Sequence, residues 1–285
     1  MHRRGPGDPT YRVDEEGRHW RGIRTPDGPA TLVVEARPRA GEVHAAAWGP
    51  GAGWVVESLP RLLGADDDPA GFEPRHPVVV EAHRHHPHWR FGRTDRVWEA
   101  LLPAILEQKV TGQEAFAGFR RIVHRFGERA PGPGAARRLW VQPDPTVVAG
   151  IPSWAWLQAH VDPARSRAAV RAARVAASLE RVVGVDTATA DERLRSLPGV
   201  GGWTSAEVRT RALGDPDAVS FGDYHVAQDV GWALTGTPGD DAAMAELLEP
   251  WRPHRNRVVV LLALAGLHRP RRGPRMAPRS HLPVR

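Results

Sequence analysis

Residues 197–208 read Leu197-Pro198-Gly199-Val200-Gly201-Gly202-Trp203-Thr204-Ser205-Ala206-Glu207-Val208, the stretch of this chain best suited to hold a ligand. The pattern predicts a short helix from about Ala190 to Leu197, a tight turn, and a second helix opening near Trp203 or Thr204. Glycines at 199, 201 and 202 carry no Cβ, so backbone amides can approach a ligand closely, and the following helix start adds a partial positive field. Such a turn suits an anion, with a DNA phosphate as the natural guest. The plainer reading is an ordinary helix corner capped by glycines. Twenty positions past Trp203 (223 − 203 = 20) stands Asp223, within Phe221-Gly222-Asp223-Tyr224-His225-Val226, an acid in a turn just before another helix. A plain N-cap would account for it, yet one aspartate can both cap and do chemistry.

The elements that must position these residues are mostly helical. Val97, Trp98, Leu101, Leu102, Ile105, Leu106 and Val110 recur at three- and four-residue spacing and predict a helix over 96–110, with Pro103 kinking it or shifting its start. Residues 113–126 repeat the pattern. A third helix is predicted over 163–183, with Asp162 as its cap and Pro163 in its first turn. Others are predicted over 203–212, 225–234, 241–248 and 255–267. Upstream, Thr31–Ala36, Val43–Trp48 and Trp54–Glu57 are short β-favouring runs separated by Gly- and Pro-rich turns, as in a small antiparallel sheet. The expected division is a flexible basic arm over 1–28, a small β-rich domain with its connection over 29–90, a helical domain over 91–268 and a basic tail over 269–285. The fold class is therefore mainly α with a small N-terminal antiparallel β element.

Composition removes several chemistries. The 285 residues include no cysteine, which excludes disulfides, thiolate zinc sites, a cysteine nucleophile and a cysteine-held iron–sulfur cluster. The longest apolar run, 258–267, falls short of the ~20 residues a membrane-spanning helix needs, and the N-terminus has no signal-peptide core, so a cytoplasmic location is expected. Net charge is 39 − 33 = +6, which favours a polyanionic partner, although the excess of arginine over a single lysine, Lys109, also fits a compositional bias. His83-Arg84-His85-His86-Pro87-His88 lacks the second cluster a metal site needs. Arg167, Arg171 and Arg174 form a basic helical stripe that suits phosphates or plain solvent.

Together the L-P-G-V-G hairpin and the aspartate that follows it resemble the helix-hairpin-helix DNA glycosylase superfamily. Leu106-Glu107-Gln108-Lys109-Val110-Thr111 is similar to the stretch that precedes the superfamily's damage-reading loop. Trp251-Arg252-Pro253-His254-Arg255-Asn256-Arg257 resembles a late motif of the 3-methyladenine DNA glycosylase II (AlkA-like) branch. The likeness covers about residues 90–268. It implies a monomeric enzyme of the cytoplasmic nucleoid that flips an alkylated purine out of damaged double-stranded DNA and hydrolyses its N-glycosidic bond, with no membrane partner.

The same resemblance assigns roles. Asp223 is the expected catalytic carboxylate, stabilising an oxocarbenium-like sugar or activating water. Leu197, Pro198, Gly199, Val200, Gly201, Gly202 and Thr204 form the DNA-binding hairpin. Trp203 is expected in the base pocket, where an indole face attracts a cationic alkylated purine by ~0.5–2 kcal/mol; Glu207, Trp154 and Trp156 are further candidates for its wall. Gln108 and Lys109 are expected at the lesion loop, with Lys109 replacing the usual apolar wedge. The backbone carbonyls of Arg195, Leu197 and Val200 would hold a monovalent cation, and no other cofactor is implied. Relatives that also cut the backbone use a hairpin lysine to form a Schiff base. This chain has Trp203 there, so no lyase activity is expected. A non-catalytic hairpin protein that only binds DNA, or a glycosylase for a different lesion, are the alternatives.

Overall fold

A computed structural model describes residues 3–270. The chain opens with β1 (Tyr11–Val13), β2 (His19–Thr25), β3 (Gly28–Arg37) and β4 (Glu42–Trp48), paired antiparallel in sequence order. Residues expected as a weakly ordered arm are thus half of this sheet. Their polarity misleads because β2 is covered on both faces: Ile23 packs with Ala30, Leu32 and Val34 of β3, while Trp20 packs on the other side with Ala130, Leu139 and Val141. Ahead of β1, Arg4 and Asp8 are buried too.

α1 (Ala52–Leu62) follows, where Trp54–Glu57 read as a strand. Its Val55 and Leu62 pack on Ile23, Leu32 and Val34, so β-branched residues in a short window were outweighed by a helical face against the sheet. α2 (Pro77–His85) lies inside the expected connection. Its Val79 and Ala82 are buried, and its short, histidine-rich sequence hides that face.

The helical body begins with α3 (Val97–Leu106), every residue of which except Glu99 is fully buried, and α4 (Gly112–Phe126), closed by a capping box between Thr111 and Glu114. Pro103 sits inside α3 without ending it. The ribbon β5 (Glu128–Arg129) and β6 (Trp140–Val141) flanks α5 (Pro133–Ala136), and α6 (Pro145–Ala149) and α7 (Ser153–Gln158) lead to α8 (Pro163–Arg174). The single helix expected over 163–183 breaks at Val175 into α8, α9 (Ala176–Glu180) and a 3-10 turn. The break delivers the Glu180 carboxylate to the start of α3, where it accepts N–H bonds from Val97 and Trp98 at 3.0 and 2.9 Å.

Then come α10 (Thr187–Arg195), α11 (Gly202–Val208) with a π-helical turn over Arg209–Leu213, α12 (Val226–Thr235), α13 (Asp241–Leu248) and α14 (Arg255–Leu264). One core gathers α3, α4, α7, α8, α10 and α11; a second gathers Val79 with α12, α13, α14 and Trp251. Most of the expected tail lies outside the described residues. Its first residue, Arg269, donates its N–H to Asp229. Among the described residues no helix is long and apolar enough to cross a membrane.

Candidate active site

The hairpin forms as its sequence requires. Asp186 caps α10 by accepting the Thr189 N–H at 2.9 Å, and the chain leaves that helix through Leu197, whose carbonyl accepts the Val200 N–H at 2.9 Å. Gly199 is left-handed, with φ +100°, and a Cβ there would come within 2.8 Å of the Ala168 Cβ on α8, so only glycine fits. Gly201 and Gly202 face open space, and no side chain caps α11. Pro198 and Gly199 are exposed while Val200 is buried as the hairpin's anchor.

Gln108, at the end of α3, ties its loop to this hairpin. Its Nε2 donates to the Gly199 carbonyl and to Thr204 Oγ1, both at 2.8 Å. Lys109 next to it is exposed and holds a left-handed backbone, φ +54°, unusual for a residue with a Cβ. That turn presents the lysine outward while the glutamine is held inward, so the two expected loop residues are placed differently.

Asp223 meets the hairpin helix directly. Its Oδ1 accepts the N–H groups of His225 and Val226 at 2.8 and 3.1 Å, which is the capping arrangement, and its Oδ2 accepts the Trp203 indole N–H at 3.3 Å. The capping reading is therefore realised through one oxygen, while the other oxygen faces the hairpin helix. Trp203 is half-buried, with its inner face on the helical core.

Other expected pocket residues stand elsewhere or are already engaged. Trp156 is 2% exposed inside the helical core, so it is a core residue and offers no face to a base. Trp154 is 54% exposed, with the Arg125 guanidinium 4.9 Å from its ring centroid. Glu207 lies one turn beyond Trp203, but its oxygens accept from Ser220 Oγ at 2.7 Å and Arg211 Nη1 at 2.6 Å. Burial by itself would raise the Glu207 carboxyl pKa; Arg211, Ser220 and Arg4 outweigh it and hold it below the usual range.

The Trp251–Arg257 segment is a brace. Arg255 clasps Asp217 with two bonds of 2.8 and 2.6 Å, Arg257 meets the buried Asp67 at 2.6 Å, and Asn256 donates to Thr210 at 3.0 Å. Sequence reasoning missed Arg4, Glu107, Arg211 and Ser220. The i,i+4 spacing of Glu207 and Arg211 was a visible signal. Nothing local marks Arg4, which reaches the two Glu107 oxygens at 3.2 and 3.3 Å from over one hundred residues away.

No protein-family model matches the chain. Over 213 residues, 70% of its length, it is 31% identical to a protein of two Mycobacterium tuberculosis strains described as a probable bifunctional transcriptional activator/DNA repair enzyme AlkA. The match spans 38% of that relative, so the chain accounts for well under half of its length. Among solved structures, the 3-methyladenine DNA-glycosylase of Archaeoglobus fulgidus superposes with a TM-score of 0.74 at 18% identity, covering 90% of each chain. The 8-oxoguanine glycosylase/lyase of Clostridium acetobutylicum, solved with double-stranded DNA containing cytosine opposite the lesion, gives 0.68 at 12% identity, covering 90% of this chain and 88% of its own.

Fold, hairpin and facing aspartate together define a protein of the helix-hairpin-helix DNA glycosylase fold. Within that fold, the relative matched in sequence is described as AlkA, and the late Trp-Arg-Pro segment makes the chain similar to the AlkA-like, 3-methyladenine DNA glycosylase II branch.

Proposed function

We propose that this chain is a monofunctional DNA glycosylase that extrudes an alkylated purine of the 3-methyladenine type from duplex DNA and hydrolyses its N-glycosidic bond. The observation that carries the reading is the Asp223 carboxylate, bonded through Oδ2 to Trp203 on the helix that opens from the hairpin. In the hairpin, the amides near Gly199, Val200 and Gly201 hold a phosphate beside the lesion, and the open space before Gly201 and Gly202 leaves room for it. Leu197, Pro198, Gly202 and Thr204 complete that contact surface, with Gln108 bracing the loop from which Lys109 projects. The carbonyls of Arg195, Leu197 and Val200 would hold a monovalent cation as oxygen donors, and Leu197, which accepts the Val200 N–H, keeps a second lone pair for it.

A purine alkylated on its ring carries positive charge, and the Trp203 indole face attracts it by ~0.5–2 kcal/mol. As the bond between C1′ and the base breaks, its electron pair leaves with the base, which departs neutral. The sugar becomes oxocarbenium-like, and Asp223 stabilises that charge. Water oxygen then bonds C1′ and gives up a proton, leaving an intact backbone with an abasic site. A strand-cutting step would need an amine at the site. Position 203 is tryptophan, and the single lysine stands on the α3–α4 loop. Damaged double-stranded DNA is the partner, met by a monomer working on the nucleoid in the cytoplasm.

The test is release of free base from methylated duplex DNA by wild type and Asp223→Asn, with strand breaks scored before and after alkali. Wild type should free methylpurines and leave alkali-labile sites without direct nicks, while Asp223→Asn binds DNA and releases almost nothing. Hairpin-dependent binding without release would make the chain a DNA-binding protein, and direct nicking would overturn the argument from the missing lysine.

A further inference from the structure

Glu207, the charged side chain of α11 and a candidate for the pocket wall, has both its oxygens engaged by protein donors. It stands four residues after Trp203, so the two share one helix face. Opposite them runs the segment that carries Asp223. Glu207 Oε1 accepts from Ser220 Oγ at 2.7 Å, and three residues on Asp223 Oδ2 accepts from Trp203 Nε1 at 3.3 Å. Two cross-links at matched spacing thus tie the hairpin helix to the turn before α12. Between the two anchor points the turn contains Gly222, left-handed at φ +85° with nothing near its Cβ position, held by its N–H to Asp241 at 2.8 Å. A chain with such a pivot needs its ends fixed if the carboxylate is to keep one orientation.

Glu207 is itself held firmly. Arg211 binds its other oxygen at 2.6 Å, and Arg4, buried at 6% exposure, lies close behind and pairs with Glu107 at the end of α3. Both glutamate oxygens are committed, and taking one away from its donor would leave a partly buried polar group unsatisfied. Such a carboxylate suits a fixed strut better than a contact with a transient base.

We propose that Glu207 is a positioning residue: with Ser220 it clamps the Asp223 turn onto α11, so that the carboxylate meets the sugar in one geometry. The inference deepens the glycosylase reading of the same site and rests on it.

The experiment compares wild type, Ser220→Ala, Ser220→Thr and Glu207→Gln in single-turnover release from methylated duplex DNA, alongside duplex affinity, Tm and the indole N–H NMR resonance of Trp203, assigned with Trp203→Phe. Ser220→Ala should slow release by roughly 10- to 100-fold, the cost of a small misplacement of a catalytic group, with affinity nearly unchanged and Tm lowered by no more than the unpaired Glu207 oxygen costs. It should also shift the Trp203 resonance, and Ser220→Thr, which keeps the hydroxyl, should restore both. Release at the wild-type rate by Ser220→Ala overturns the clamp. So does a loss of release that only tracks lost Tm and affinity, or a Glu207→Gln variant that changes preference between 3-methyladenine and 7-methylguanine while Ser220→Ala behaves as wild type. If wild type releases no base, the glycosylase reading fails, and the resonance alone decides the clamp: a shift in Ser220→Ala upholds it, and no shift overturns it.

Discussion

At the scale of single residues, Asp223 shows how one side chain serves two ends. Its Oδ1 terminates the backbone of α12 while Oδ2 stays with Trp203, so helix capping fixes the orientation of the group that the proposed chemistry uses. Trp203→Phe keeps an aromatic face and removes the N–H. A hydrogen bond to a charged group contributes about 1.5–3 kcal/mol, so base release should fall by about tenfold or more with DNA affinity retained. Single-turnover rates would show it, and a wild-type rate would mean that the indole N–H does not matter. Asp223 and Trp203 were legible in the sequence because their spacing belongs to a known pattern. Glu207 was visible as a pocket candidate, but its partner Ser220 was not, being a common residue with no pattern of its own.

At the scale of elements, the site depends on helix ends. α8, whose Ala168 sets the close approach to Gly199, starts at Asp162, which accepts the N–H groups of Ala164 and Arg165 at 2.9 and 3.2 Å and pairs with the Arg165 side chain at 2.5 Å. Partial burial would raise the Asp162 pKa, but the bonds from Arg165 and the backbone outweigh it and lower it. With the folded value below the unfolded one, the carboxylate's contribution is fully present above the unfolded pKa of about 3.9 and is lost as pH falls through the folded value. Asp162→Ala should therefore cost about 1 kcal/mol at neutral pH, and its gap from wild type in denaturant unfolding should narrow below about pH 4. A gap independent of pH would rule out the charged cap. The Asp162–Pro163 start was readable from the sequence, whereas the break at Val175 was not, because it serves the distant start of α3.

At the scale of the molecule, the N-terminal segment is tied to the helical body, with Arg4 bonded to Glu107 and to the Ala100 carbonyl of α3. Burial and the neighbouring Arg211 pull the Arg4 guanidinium down to about 10, and burial pushes the Glu107 carboxyl up, as in a pair removed from water. Arg4→Met would leave Glu107 buried without its partner and should destabilise the fold by about 3–5 kcal/mol, while Arg4→Met with Glu107→Gln should recover most of the loss in thermal unfolding. Equal losses in the single and double variants would show that the pair does not act as a unit. The sequence by itself determined the helical class, the hairpin, the aspartate behind it and the absence of cysteine chemistry, because spacing, glycine and composition are local properties. Only the tertiary structure decided that Tyr11–Val13 and His19–Thr25 are strands, that Trp156 is core, that Gln108 grips the hairpin, and that the buried Arg4 and the half-buried Glu107, Arg211 and Glu207 form one charge cluster. Those facts depend on which surfaces meet across a hundred or more residues, and burial and pairing free energies outweigh local preference there.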